Sequence, residues 1–132
     1  MNRREQREQI FKLLFRVEFN EINEMPDQCV MFFDDDENPV SEKDIAYIQG
    51  KYEKIAEKLC EIDEMINSTA KGWDTQRMGK VDLTIIRLAV YEIKFDDEVP
   101  TGVAINEAVE LAKSYGQDGS AGFVNGVLAK FA

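Results

Sequence analysis

Histidine is absent from the chain, and its absence limits the chemistry open to the other reactive residues. Without an imidazole there is no ordinary general base near neutral pH and no ordinary transition-metal ligand. Carboxylates are plentiful, 26 Asp plus Glu, so no single pair stands out as an acid/base couple. The densest run, Asp34-Asp35-Asp36-Glu37, lacks the spaced oxygen ligands and the glycine of a calcium loop and reads as a solvated acidic loop. Cys29 and Cys60 make no metal-ligand spacing. They suit a reducing, cytoplasmic compartment, with Cys60 read as a small core residue. Carboxylate chemistry stays open to these residues, but without histidine or a spaced acidic constellation the expected reading is a protein that is not an enzyme and that needs no metal or cofactor.

Charge offers more. The net charge of −10 argues at first against nucleic acid, but it is unevenly spread. Residues 1–16 carry Arg3, Arg4, Arg7, Lys12 and Arg16 against Glu5 and Glu8, a local excess of three positive charges. Residues 17–64 carry 15 acids against 4 lysines, so the acidic excess belongs to the middle of the chain. An arginine cluster on an otherwise acidic protein can grip phosphates locally while the remainder repels unspecific nucleic acid. No apolar run approaches the roughly 20 residues of a membrane span. The N-terminus NRREQREQIF places charge where an export signal needs an apolar core, so neither a membrane nor export is expected.

The elements that must position these residues are all helical by pattern. A first helix is predicted over Arg3 to Asn20, with Ile10, Leu13, Leu14 and Val17 as its stripe and Phe11 and Phe15 widening it. Periodicity fades from Glu21 to Val40, where a short helix fits around Gln28 to Phe33. Ser41 and Asp44 form a helix-start pattern. Ile45, Ile48, Tyr52, Ile55, Leu59, Ile62 and Ile66 then alternate steps of three and four, which predicts one long amphipathic helix. Lys71-Gly72-Trp73 reads as a corner with an anchoring indole, and Asp74 as the cap of a short turn. The helix near Lys80 to Lys94 is apolar on most sides and belongs in the middle of a bundle, where Arg87 needs a partner.

Pro100 to Leu128 reads as a helical hairpin, with Val103, Ile105, Val109, Leu111 and Ala112 apolar at helical spacing. Gly116 sits where a left-handed helix stop is wanted and Ser120 where a helix start is wanted. Its second helix sets Phe123, Asn125 and Gly126 within one turn. Asn and Gly disfavour helix, Gly by up to about 1 kcal/mol, so either packing or a ligand holds them there. The fold class is all-α, with about six or seven helices in two small bundles, near 1–70 and 74–132 of a single domain.

Four blocks make a specific resemblance: RRxxRE in Arg3 to Glu8, VDxxIIRLAVYEI in Val81 to Ile93, VPxxVAINEAVELAKSYG in Val99 to Gly116, and FVNGVL in Phe123 to Leu128. In this order they strongly resemble the NusB family of transcription antitermination factors. The match is loose over the first helix and tight over most of 81–128. The resemblance implies an all-helical fold without enzymatic activity. It also implies recognition of the boxA element of ribosomal RNA operon transcripts, jointly with NusE, a small-subunit ribosomal protein, in an antitermination complex on RNA polymerase.

On that resemblance Arg3, Arg4 and Arg7 contact phosphates, and Phe123 is the aromatic beside the RNA. Gln117 and Ser120 bound a turn whose backbone donors suit a phosphate. Asn125 lies nearby, either as a further RNA contact or as a tie within the hairpin. Asp82 matches an acidic position facing NusE. A basic residue commonly precedes the family's aromatic, but here Gly122 stands there, and the chain ends at Ala132 without the basic tail of some members. Both departures imply weaker RNA binding by the protein alone and more dependence on the partner. Two matters stay open in the sequence: whether the free protein is a monomer or a homodimer, and the alternative of a NusB-like protein-interaction module without sequence-specific RNA binding.

Overall fold

The computed structural model describes all residues, Met1–Ala132. Seven α-helices follow one another: α1 (Arg3–Phe15), α2 (Met25–Phe33), α3 (Glu42–Glu57), α4 (Leu59–Thr69), α5 (Lys80–Phe95), α6 (Thr101–Tyr115) and α7 (Ser120–Ala129). Two short 3-10 turns, Arg16–Phe19 and Ile22–Glu24, link α1 to α2. The all-helical reading of the sequence therefore holds. The chain forms two compact units, Met1–Ala56 and Glu57–Ala132.

In the first unit, α1 starts at a capping box. The Asn2 side chain accepts from the Glu5 N–H at 2.8 Å, and the Glu5 carboxylate accepts from the Asn2 N–H at 3.3 Å. Ile10, Phe11, Leu13 and Leu14 are buried. The helix predicted to run to Asn20 is α-helical only to Phe15. Its last turn tightens to 3-10, and the Asn20 amide donates back to the Arg16 carbonyl at 2.8 Å, satisfying an end that would otherwise be open. Helix α2 begins three residues before its predicted start, because Pro26 lies in the first turn, where the missing N–H is no loss. It buries Met25 and Cys29 on one face. At α3 the Ser41 hydroxyl accepts from the Asp44 N–H at 3.2 Å, the start that the sequence pattern indicated. The acidic residues Asp34 to Glu37 are all exposed, and the Asp35 carboxylate accepts from the N–H groups of Glu37 and Asn38.

The stripe from Ile45 to Ile66 does not form one helix. Lys58, at φ −103° and ψ 3°, stands between α3 and α4. Its backbone lies in the sparsely populated region between helix and strand. The stripe serves two cores: Ile48, Tyr52 and Ile55 are buried in the first unit and Ile62 and Ile66 in the second, while Leu59 between them is only half-buried. Periodicity alone cannot show such a division. Cys60 is also corrected. It is exposed, and Cys29 is the buried thiol, because position 60 points away from the Ile62–Ile66 face.

The second unit is built on α5, which packs against α4, α6 and α7. Leu83, Ile85, Ile86, Leu88, Ala89 and Val90 are buried around most of its circumference. Arg87, 13% exposed, forms a fork-to-fork ion pair with Asp63 of α4, which is 27% exposed: Nε to Oδ1 at 2.9 Å and Nη2 to Oδ2 at 2.8 Å. This supplies the partner that the sequence demanded. On α6 the inward residues are Ala104, Ala108, Leu111 and Ala112, whereas Val103 is exposed. Small side chains on the inner face let neighbouring helices approach closely, so residue size decided the face that apolar spacing had placed partly on Val103.

Removing Asp63 should therefore be costly. Asp63→Ala, which strips the guanidinium of its fork, is expected to lower unfolding stability by about 2–4 kcal/mol in urea denaturation. The double variant Asp63→Ala/Arg87→Met should recover part of that loss. A coupling energy near zero in the double-mutant cycle would show that the pair contributes nothing.

Candidate nucleic-acid interface

The first group of site residues lies on the opening turns of α1. Arg3 and Arg4 are exposed and Arg7 is half-buried. Arg3 is held in place: its Nη1 donates to the Gln6 side-chain oxygen at 3.0 Å, and its guanidinium lies 4.2 Å from the centre of the Tyr47 ring. The Gln6 amide in turn donates to Asp44 Oδ1 at 2.8 Å, while Asp44 Oδ2 accepts from the Ser41 hydroxyl at 3.1 Å and from the Met1 ammonium at 3.2 Å. Gln6, Tyr47 and Asp44 form this support, and none of them stands out in the sequence as a site residue. A shallow concavity of about 440 Å³ opens beside Asn2, Arg3, Gln6 and Asp44. Arg16 plays a different part. It donates to the Gln28 carbonyl at 3.3 Å and to the Gln28 side chain at 3.1 Å, and it lies over the Phe32 ring, so it braces α1 against α2.

These bonds hold the Asp44 carboxyl below the ordinary carboxylate range, the Gln6 amide contributing most, followed by the terminal ammonium. A depressed folded value means that the contribution is complete above the unfolded value near about 4 and is lost as pH falls through the folded one. The stability gap between the wild type and Asp44→Asn should accordingly narrow when thermal melts are moved from pH 6 to pH 3. An unchanged gap would remove Asp44 from the acid response.

The second group lies on the α6–α7 hairpin. Gly116 is not the left-handed stop that was expected: it has φ −87° and ψ −171°, an extended backbone. Its glycine is needed for space, since a Cβ there would lie 2.5 Å from Ser120 Cβ and 2.7 Å from the Ala112 carbonyl oxygen. The left-handed residue is Gly119, at φ 88°, directly before α7. Ser120 is buried and closes the turn: its hydroxyl accepts from the Gln117 N–H at 3.0 Å, and its own N–H donates to the Gln117 carbonyl at 3.0 Å. Two of the turn's donors are thus spent internally, while the Gln117 side chain remains exposed.

Phe123 is half-buried and meets Trp73 edge to face, with ring centres 5.4 Å apart. Asn125 lies on the exposed face of α7 with Gly122 and Gly126, away from the buried Val124, Val127 and Leu128. A Cβ at Gly122 or Gly126 would meet nothing within 4 Å, so packing does not account for these glycines. Asp82, in the first turn of α5, lines a cavity of about 190 Å³ together with Gly79, Lys80, Tyr115, Gln117 and Ser120. The expected partner residue and the expected turn residues thus share one recess. No group of His, Cys, Asp or Glu converges in the manner of a metal site.

The NusB family model matches residues 4–132. Relatives named transcription antitermination protein NusB are 55% identical in Lachnoclostridium phytofermentans, over 98% of both chains, and 55% identical in Agathobacter rectalis, over 100% of both. The solved T. maritima NusB superposes with a TM-score of 0.84 at 33% identity, covering 100% of this chain and 91% of that one. A chain from the crystal structure of a plectonemic RNA supercoil gives 0.80 at 27% identity, covering 98% of this chain and 92% of that one. Fold and relatives together define an all-helical factor of transcription regulation and not an enzyme. The chain belongs to the NusB family of transcription antitermination proteins.

The glycines of the hairpin should respond in opposite directions. Gly116→Ala is expected to destabilise by about 1–3 kcal/mol through the collision with Ser120. Gly126→Ala, on an open helix face, should stabilise by up to about 1 kcal/mol. Chemical denaturation of both variants reads the contrast directly.

Proposed function

We propose that this antitermination factor works by binding the boxA element of ribosomal RNA operon transcripts jointly with NusE, within the antitermination complex on RNA polymerase. The observation that carries the proposal is the arginine cluster on the first turns of α1, with Arg3 held by Gln6 and Tyr47 on a chain whose net charge is −10. A cation fixed before binding loses less side-chain freedom when it meets a phosphate. Arg3, Arg4 and Arg7 supply phosphate contacts, and Phe123 offers a ring on which a base stacks. The exposed Gln117 and Asn125 reach for base edges or sugars, while Ser120 holds the turn that presents Gln117. Asp82 contacts NusE.

The glycine face of α7 also supports a partner. Gly122, Asn125 and Gly126 disfavour helix without any packing return, an arrangement suited to close approach by another molecule. The acidic remainder of the surface weakens unspecific RNA binding and leaves affinity to a few local contacts. Joint binding with NusE compensates, because a second protein on the same RNA raises the effective concentration of each contact.

Anisotropy of a labelled boxA RNA, titrated with and without NusE and beside a scrambled RNA, tests the proposal. Selective binding that NusE tightens is the expected result. The Arg3, Arg4, Arg7 to Ala triple variant should bind more weakly and lower the log-log salt slope by about 2, at about 0.7 per phosphate contact. Equal affinity for both RNAs, or no binding even with NusE, would favour the alternative, a protein-interaction module without sequence-specific RNA recognition.

A further inference from the structure

The loop between α4 and α5 carries charge and aromatic surface that the proposed arginine and hairpin contacts leave unused. Trp73, the only tryptophan in the chain, is 52% exposed. The sequence suggested an indole anchoring a corner, but the corner is held without burying it. Gly72 takes φ 87°, the Trp73 N–H donates to the Ala70 carbonyl at 3.0 Å, and the Thr75 N–H donates to the Asn67 side chain at 2.8 Å. The Arg77 N–H closes a further turn on Asp74, donating to its side chain at 3.0 Å. The backbone of the loop is therefore fixed, and it holds a large apolar side chain out in water. The indole joins an apolar body to a polar N–H, the combination that suits Trp to interfaces.

Two observations indicate the chemistry of what binds. The segment from Lys71 to Lys80 carries Lys71, Arg77 and Lys80 against the single acid Asp74, in contrast to the acidic chain as a whole. Arg77 is largely exposed, and its nearest approach to Asp74 in the ion pair is a long 3.9 Å. The indole also touches Phe123, so its surface is continuous with the ring assigned to the RNA. Basic side chains around exposed rings are the surface on which single-stranded nucleic acid binds, bases on the rings and phosphates on the cations. An edge-to-face contact occupies at most one face of the indole, which leaves π surface for a base.

We propose that Trp73 is a base-stacking residue for single-stranded RNA, forming with Phe123 a two-ring platform flanked by Lys71 and Arg77. The proposal rests on the RNA-binding reading given above and extends it to a loop outside the hairpin and the N-terminal helix. The occupant of the platform is an unpaired base whose neighbouring phosphates lie against the two cations.

Because Trp73 is the sole tryptophan, its own emission reports on the contact. Unlabelled boxA RNA titrated into the wild-type protein should quench that emission with the midpoint that anisotropy gives for the labelled RNA. Trp73→Leu, which keeps apolar bulk but has no ring, should weaken RNA binding about tenfold, as expected for one lost stacked base, and Trp73→Phe should weaken it less. Melting temperatures within a few degrees of wild type would establish that the variants fold. Should Trp73→Leu fail to fold, the emission titration on the wild type decides alone. Binding seen by anisotropy with unchanged emission would overturn the proposal while leaving the RNA-binding reading intact, and so would wild-type affinity in Trp73→Leu. No binding by anisotropy, with or without NusE, would overturn both. Quenching by NusE in the absence of RNA, with none on adding RNA, would make the indole a protein contact and overturn the proposal as well.

Discussion

Helix α5 carries apolar side chains around most of its circumference, and the second unit is arranged to meet that constraint. A helix of this kind cannot lie at a surface, because each face left in water would forgo roughly 25 cal/mol for every Å² of apolar area. Helices α4, α6 and α7 cover it, and the alanines of α6 let them come close. Three polar side chains are drawn into that cover, Thr84 and Glu92, each 1% exposed, and Arg87. The Arg87 guanidinium is met by both oxygens of Asp63 from α4. Once α5 is covered, its first turn, the α6–α7 turn and the loop that bears Trp73 are fixed as parts of one body. The recess beside Asp82, Gln117 and Ser120 is a by-product of that cover.

The surface follows a second physical rule, that charge works locally. Across a Debye length of about 8 Å at physiological salt, a net charge of −10 says little about what a particular turn of helix attracts. The arginines of α1 stand together on its opening turns, and the segment from Lys71 to Lys80 has its own basic excess. Arg3 shows how such a group is held in place by its own neighbours. Its hydrogen bond to Gln6 and its place over Tyr47 restrict it before anything binds, and Gln6 is itself held by Asp44. Arg16, only nine residues after Arg7, is instead committed to Gln28 and Phe32 inside the first unit. Residue type alone could not distinguish these roles.

The hairpin shows why glycines need separate reading. Gly116 excludes a Cβ that would collide with Ser120, Gly119 supplies a left-handed backbone, and Gly126 answers to neither need. One residue type thus meets a steric constraint, a conformational one and an open helix face within eleven positions. The relatives in Lachnoclostridium phytofermentans and Agathobacter rectalis, alike over nearly the whole chain, place this hairpin in a family of antitermination proteins.

The sequence by itself determined the helical class, the central place of α5, the need of Arg87 for a partner and the family. Each of these follows from local pattern: apolar residues at helical spacing, a charge within an apolar run, and blocks of residues in order. Only the tertiary structure decided where the Ile45–Ile66 stripe divides, which cysteine is buried, that alanines and not Val103 form the inner face of α6, and why Gly116 is a glycine. It also brought Trp73 against Phe123, fifty positions apart, and set Gln6 between Arg3 and Asp44. The physical reason is the same in each case. Periodicity records which side of a helix avoids water, but the partner that covers that side, and the space it leaves, arise from contacts between residues distant in the chain.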